Sequence, residues 1–205
     1  MIFQTFDDKE KCLAVYTDNE IYYKNFPKRK KLTKTWSYSE FLKDREIDYA
    51  QLYCNGKTLD EACPEHLKKE WDKVKNRLKA IHRSVGEVGL DLNEVCFYDM
   101  VPGFFLKEYA MVKNNICRHV FTSYKKPDNY EFRVNLAKVL TEIKNKKLNI
   151  DFEELSGERH MLKVRNFIKH NKNTPPYVVY DAFKTKTGRL TTKNSFPILT
   201  LDKTY

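Results

Sequence analysis

Leu67, Trp71, Val74, Leu78 and Ile81 recur at intervals of four, three, four and three residues. That spacing returns apolar side chains to one side of a 3.6-residue helix, so it predicts an amphipathic helix from about Pro64 to Ser84. The opposite side carries Lys68, Lys69, Lys73, Lys75, Arg77 and Lys79. Pro64 is tolerated at the start because its missing N–H had no intrahelical partner. Gly86 and Gly89 are expected to stop the helix. After a break at Pro102-Gly103, Phe105, Tyr109, Val112, Ile116 and Val120 repeat the pattern, and Phe132, Leu136, Val139 and Ile143 repeat it again within about 129–147. Two such helices joined by the short loop Thr122–Asp128 predict an antiparallel helical hairpin over 104–147, with Tyr124, Lys125 and Lys126 at its basic tip. A further helix is expected from Phe152 to His170, ended by Asn173-Thr174-Pro175-Pro176.

The first sixty residues read differently. Ile2–Phe6, Cys12–Tyr16 and Ile21–Tyr23 are short β-prone runs separated by charged turn signals, among them Asp18-Asn19-Glu20. They predict a small antiparallel meander. Ser37–Leu42 reads as a short capped helix and Tyr49–Cys54 as a strand ended by Asn55-Gly56. The expected class is therefore α+β. A small α+β unit spans 1–60, and a mainly helical region containing the hairpin spans 61–170. A strand–loop–strand segment spans 171–205, with Tyr177–Tyr180 and Phe196–Leu201 as its strands.

Charge narrows the partners. The formal net charge is +10 in 205 residues, which favours acidic partners, nucleic acid first. From His160 to Tyr205 nine lysines and arginines face only Asp181 and Asp202. Lys28-Arg29-Lys30-Lys31 adds a second basic run, read as a solvated loop or a DNA contact. No apolar run is long enough to span a bilayer. The five cysteines, Cys12, Cys54, Cys63, Cys96 and Cys117, stand singly, and no signal-like leader precedes them. Reduced thiols and a cytoplasmic location are expected. Asp7-Asp8 follows the first strand; the pair suits either a polar turn or a strand-end magnesium site, and no further carboxylates can be matched to the second.

The densest concentration of binding chemistry is Thr185-Lys186-Thr187-Gly188-Arg189-Leu190-Thr191-Thr192-Lys193-Asn194. Threonine hydroxyls and backbone N–H groups donate to phosphate oxygens. Glycine lets a backbone approach a ligand closely. Arginine offers a planar fork and lysine a point charge. Taken as residue types, the run is a polyanion-binding loop or an ordinary basic loop between strands.

Its order is more specific. Thr185, Thr187, Gly188, Arg189, Leu190, Thr191 and Thr192 resemble the Thr-x-Thr-Gly-Arg-Leu-Ser-Ser motif of family A DNA polymerases, with threonine for the two serines. Ser195–Leu201 departs from the family's usual continuation and looks more like its phage-type variants. The resemblance implies a thumb built on the 104–147 hairpin. It implies primer–template DNA held by the motif, by Lys193 and by Lys125 and Lys126 at the tip. Polymerase chemistry needs two magnesium ions about 3.5–4 Å apart. In the family their aspartates follow this motif, so no catalytic or metal residue is expected here and Mg2+ belongs only to the complete enzyme. The chain then represents a fragment or a split subunit, inactive alone and completed by a palm-and-fingers segment, in the host cytoplasm if phage-encoded. The alternative is a non-enzymatic basic DNA-binding or replication-accessory module. An RNA-binding protein is a third, with Tyr177 and Tyr180 as stacking candidates.

Overall fold

The computed structural model describes residues 2–7, 12–24, 32–43, 45–90, 95–182, 189–192, 196–197 and 200. They form two compact units, Met1–Val139 and Leu140–Tyr205. The class is α+β, as expected, and residues 1–60 share the first unit with most of the helical region.

The first unit is built on five short strands: β1 (Ile2–Thr5), β2 (Ala14–Thr17), β3 (Glu20–Tyr23), β4 (Lys34–Thr35) and β5 (Asp48–Tyr49). Their order is β3-β2-β1-β4-β5. β1, β2 and β3 form the predicted antiparallel meander. Thr17 pairs with Glu20, so Asp18 and Asn19 are the two central residues of a tight hairpin, with φ of 49° and 63°. Asp and Asn tolerate that left-handed geometry, which matches strand twist. β4 and β5 are added in parallel on the other side of β1. The strand expected over 49–54 is only Asp48–Tyr49, and the helix expected over 37–42 is a single 3-10 turn, Glu40–Leu42. Asn55 and Gly56 then take φ of 51° and 81° at the expected turn.

Strand alternation distributes β2 over two cores. Cys12 and Ala14 join a cluster with Trp71, Val74, Phe105, Leu106, Val112 and Ile116. Leu13 and Val15 join a smaller one with Leu32, Tyr38 and Leu42. Successive side chains point to opposite faces, and β2 is buried on both.

The helices of this unit are α1 (Glu65–Glu87), α2 (Phe97–Met100), α3 (Gly103–Ser123) and α4 (Tyr130–Lys144), whose last turns extend into the second unit. α1 follows the predicted span and stops at Gly89, where φ is 76°. Residues 59–63, just before it, form a turn. Thr58 and Glu61 exchange capping bonds, Thr58 N–H donating to Glu61 Oε2 at 2.7 Å, but Pro64 sets a new start before a helix can grow.

α3 and α4 follow one another with close to the ends expected for the hairpin, and α3 packs against α1. α3 buries Phe105, Leu106, Ala110, Val112, Asn114, Ile116, Cys117 and Val120, whereas α4 buries none of its side chains. The physical reason is competition for one apolar surface. α3 has apolar residues on more than one side and is taken up by α1 and the sheet-side core.

The cysteines need a correction. Cys12 and Cys96 form a disulfide across 84 residues, with Cα atoms 5.2 Å apart. The bridge ties the start of β2 to the N-cap of α2, so unpaired cysteines no longer argue for a reducing compartment. Cys54, Cys63 and Cys117 are free and buried, and burial pushes the Cys117 thiol up to about 12.

Asp60 anchors the start of α1. Trp71 Nε1 donates to Asp60 Oδ1, and Lys75 Nζ lies 3.0 Å from Oδ2. The indole hydrogen bond, then the lysine, hold this carboxyl below its usual range. A depressed folded-state value stabilises above the unfolded carboxylate range and loses that contribution as pH falls through the folded value. The side chain is 53% exposed, so the expected contribution is below about 1 kcal/mol. Asp60→Asn should therefore lower urea-unfolding stability slightly at neutral pH and match the wild type in strong acid. A wild-type advantage that persists in acid would assign the effect to packing instead.

The second unit contains α5 (Phe152–Gly157), α6 (Leu162–Asn171), β6 (Tyr180–Asp181) and β7 (Thr191–Thr192). The single helix expected over 152–170 is thus two. Asp151 caps α5 by accepting from the Glu153 and Glu154 N–H groups at 2.9 Å, and the helix ends at Gly157. Phe167, Val178 and Phe196 form this unit's core with Leu148, Ile150, Phe152, Leu155 and Tyr180 around them.

Candidate nucleic-acid interface

The motif is placed by a small sheet. β6 pairs antiparallel with β7, Tyr180 opposite Thr192 and Asp181 opposite Thr191. The strand expected at 177–180 is thus shorter and shifted, and the Tyr177 N–H donates to the Pro175 carbonyl at 2.9 Å instead of to a ladder. Thr191 Oγ1 also donates to the Asp181 carbonyl at 3.4 Å. This pairing makes the motif the connection between two antiparallel strands.

Arg189 and Leu190, just before β7, are exposed, Leu190 to 47%. Thr191 and Thr192 are half-buried. Thr185, Lys186, Thr187, Gly188 and Lys193 lie outside the described residues, as do Lys28–Lys31, Asp8 and Ile198, Leu199 and Leu201 of the strand expected at 196–201.

The hairpin has a firm base. Phe196 N–H donates to the Tyr177 carbonyl at 2.9 Å, and Leu148 N–H to that of Pro176 at 2.8 Å. The Phe196 ring meets Phe167 of α6 edge-on at 5.5 Å. α6 and the motif strands therefore share one core. Tyr177 and Tyr180 are half-buried beside it, which leaves neither as an open stacking platform.

Lys125 and Lys126 belong to the first unit, in the loop between α3 and α4, and both are exposed. Lys126 Nζ lies 4.6 Å from the Tyr130 ring centroid. Tyr130 OH donates to the Gln51 carbonyl at 2.8 Å, and the Arg133 guanidinium sits 5.2 Å from the Tyr53 ring. This alternation of cations and tyrosines was not read from the sequence. Its signal is the i, i+4 spacing of Lys126 and Tyr130, but Gln51 and Tyr53 come from another part of the chain.

Asp7 is 6% exposed, and its Oδ2 accepts the Phe97 N–H at 2.9 Å. Its carboxylate therefore serves the first turn of α2. Among the described residues no three His, Cys, Asp or Glu side chains gather as metal ligands.

Compared with protein-family models, with curated proteins and with solved structures, the chain matches none. Among the described residues no helix is long and apolar enough to cross a membrane.

Proposed function

We propose that this chain grips primer–template DNA as the thumb-side portion of a family A DNA polymerase, with the chemistry supplied by a palm-and-fingers segment or chain. The observation that carries the reading is the ordered run Thr185–Thr192, whose last four residues lead into β7 with Arg189 exposed. Charge supports it. The second unit holds thirteen lysines and arginines against seven acids in 66 residues. Arg189 and the threonines would contact the duplex through backbone and minor groove, where the hydrogen-bond pattern is degenerate and shape is read rather than sequence. Lys125 and Lys126 would add phosphate contacts. Mg2+ enters with the completing segment, and primer–template DNA as the ligand, rather than the cysteines, places the site of action in the cytoplasm, that of the host if the gene is phage-borne.

A second reading is a basic DNA-binding accessory module without polymerase chemistry. The shallow burial of α4, none of whose side chains is fully buried, favours it, because a thumb is expected to be a firmly paired helical arm. One experiment separates the two. A labelled primer–template and the matching single strand are titrated with the chain across a salt series, with and without a candidate catalytic chain. Preference for the primer–template, and nucleotide incorporation when the second chain is added, is the expected result. Arg189→Ala should cost about 1–3 kcal/mol of duplex binding while leaving the unfolding curve in place. Binding indifferent to strandedness, with no incorporation, would leave the accessory module.

A further inference from the structure

We propose that the outer arc of α6 is a second nucleic-acid contact surface, binding the sugar–phosphate backbone from the same unit that carries the motif. The inference rests on the DNA-binding reading above and extends it to residues outside the motif.

Between Arg159 and Asp181 the sequence contains no acid. Within that interval α6 turns Val164, Phe167 and Ile168 into the core, each at most 6% exposed. At 100° per residue the opposite arc is formed by Leu162, Arg165, Asn166, Lys169 and Lys172, all exposed. Three of these are cations and one is an amide, and the acids of this region are confined to Asp151–Glu158, on and around α5. Among the described residues no carboxylate pairs with Arg165, Lys169 or Lys172. Their charge is therefore available to a partner.

The dimensions suit a strand. A rise of 1.5 Å per residue spreads Arg165 to Lys172 over about 10 Å, roughly three nucleotides of one strand at 3.4 Å each. Arginine, lysine and asparagine are among the side chains that contact phosphate and sugar. A lipid surface is the less suitable polyanion. An interfacial helix needs a free apolar face, and that of α6 is occupied by Val178, Phe196 and Tyr180. The shared core also holds the arc rigidly with respect to β6 and β7, whose Tyr180 pairs with Thr192. A strand leaving the motif would meet an already positioned row of cations.

The test compares three full-length chains: the wild type, R165Q/K169Q/K172Q, and K69Q/K79Q/R83Q. The last removes the same charge from exposed positions of α1. Each is titrated with a labelled primer–template duplex across a salt series, and with vesicles of phosphatidylcholine and phosphatidylserine. Circular dichroism checks folding, and R165K/K169R/K172R serves as the charge-keeping variant. Each phosphate contact contributes about 0.9 to the slope of log K against log salt. The α6 variant should thus lose roughly two to three units of slope and bind roughly tenfold or more weakly. The α1 variant should keep the wild-type slope, and the charge-keeping variant should bind like the wild type. An unchanged slope in the α6 variant, or an equal loss in both glutamine variants, overturns the proposal while the DNA-binding reading stands. A loss seen only on vesicles overturns it in favour of a membrane surface. Failure of the wild type to bind duplex at all overturns the DNA-binding reading, and this inference with it.

Discussion

Reduction of the Cys12–Cys96 bridge is expected to lower the unfolding free energy of the first unit by up to about 4.5 kcal/mol, the loop-entropy value for a closed loop of this length. The bridge closes 84 residues, which include β2 through β5 and all of α1. Cross-linking distant positions removes conformations from the unfolded chain, and the loss grows with the logarithm of loop length. Urea unfolding with and without reductant measures the effect, and Cys96→Ser should reproduce the reduced curve. The neighbouring Asp7–Phe97 hydrogen bond spans the same junction between the sheet and α2. Asp7→Asn in the oxidised protein should therefore cost far less than the bridge, because the disulfide still holds α2 in place. If reduction leaves the midpoint unmoved, the bridge does not form in solution and the expectation of five thiols returns.

Leu106→Ala should be among the most damaging apolar truncations in the described helices, at about 3–4 kcal/mol. Leu106 is fully buried, in the cluster that joins α3 to α1 and to Cys12 and Ala14. Its removal forfeits the transfer free energy of the side chain and leaves a cavity that neighbours on three elements cannot all move to fill. Phe132→Ala on α4 is the matched control. It deletes a larger side chain, yet Phe132 is 63% exposed, so its cost should stay below about 1 kcal/mol. Equal losses in the two variants would mean that α4 is packed in solution as firmly as α3 is, as the thumb reading calls for.

The comparison of α3 with α4 also separates local from tertiary information. Both show the same apolar repeat, and in both the helix and its approximate ends were legible. So were the Asp18-Asn19 and Asn55-Gly56 turns, the antiparallel meander and the termination of α1 at Gly89. These features depend on steric and hydrogen-bonding preferences within a few residues, which a one-dimensional reading can follow. Periodicity reports that a helix has an apolar side but not what will cover it. α3 found α1 and the sheet, and α4 stayed half-exposed, because burial is decided by which surfaces fit together in space.

The candidate site divides in the same way. The order Thr185–Thr192 is a property of the chain, and so is the absence of acids from 160 to 180. That α6 points its cations outward from the core it shares with β6 and β7 depends on Phe167 meeting Phe196, 29 positions apart. The pairing of Cys12 with Cys96, the parallel placement of β4 and β5, and the use of Asp7 as an acceptor for Phe97 all join residues far apart in sequence. Each depends on loop closures whose entropic cost only the assembled core offsets, so no local signal marks them.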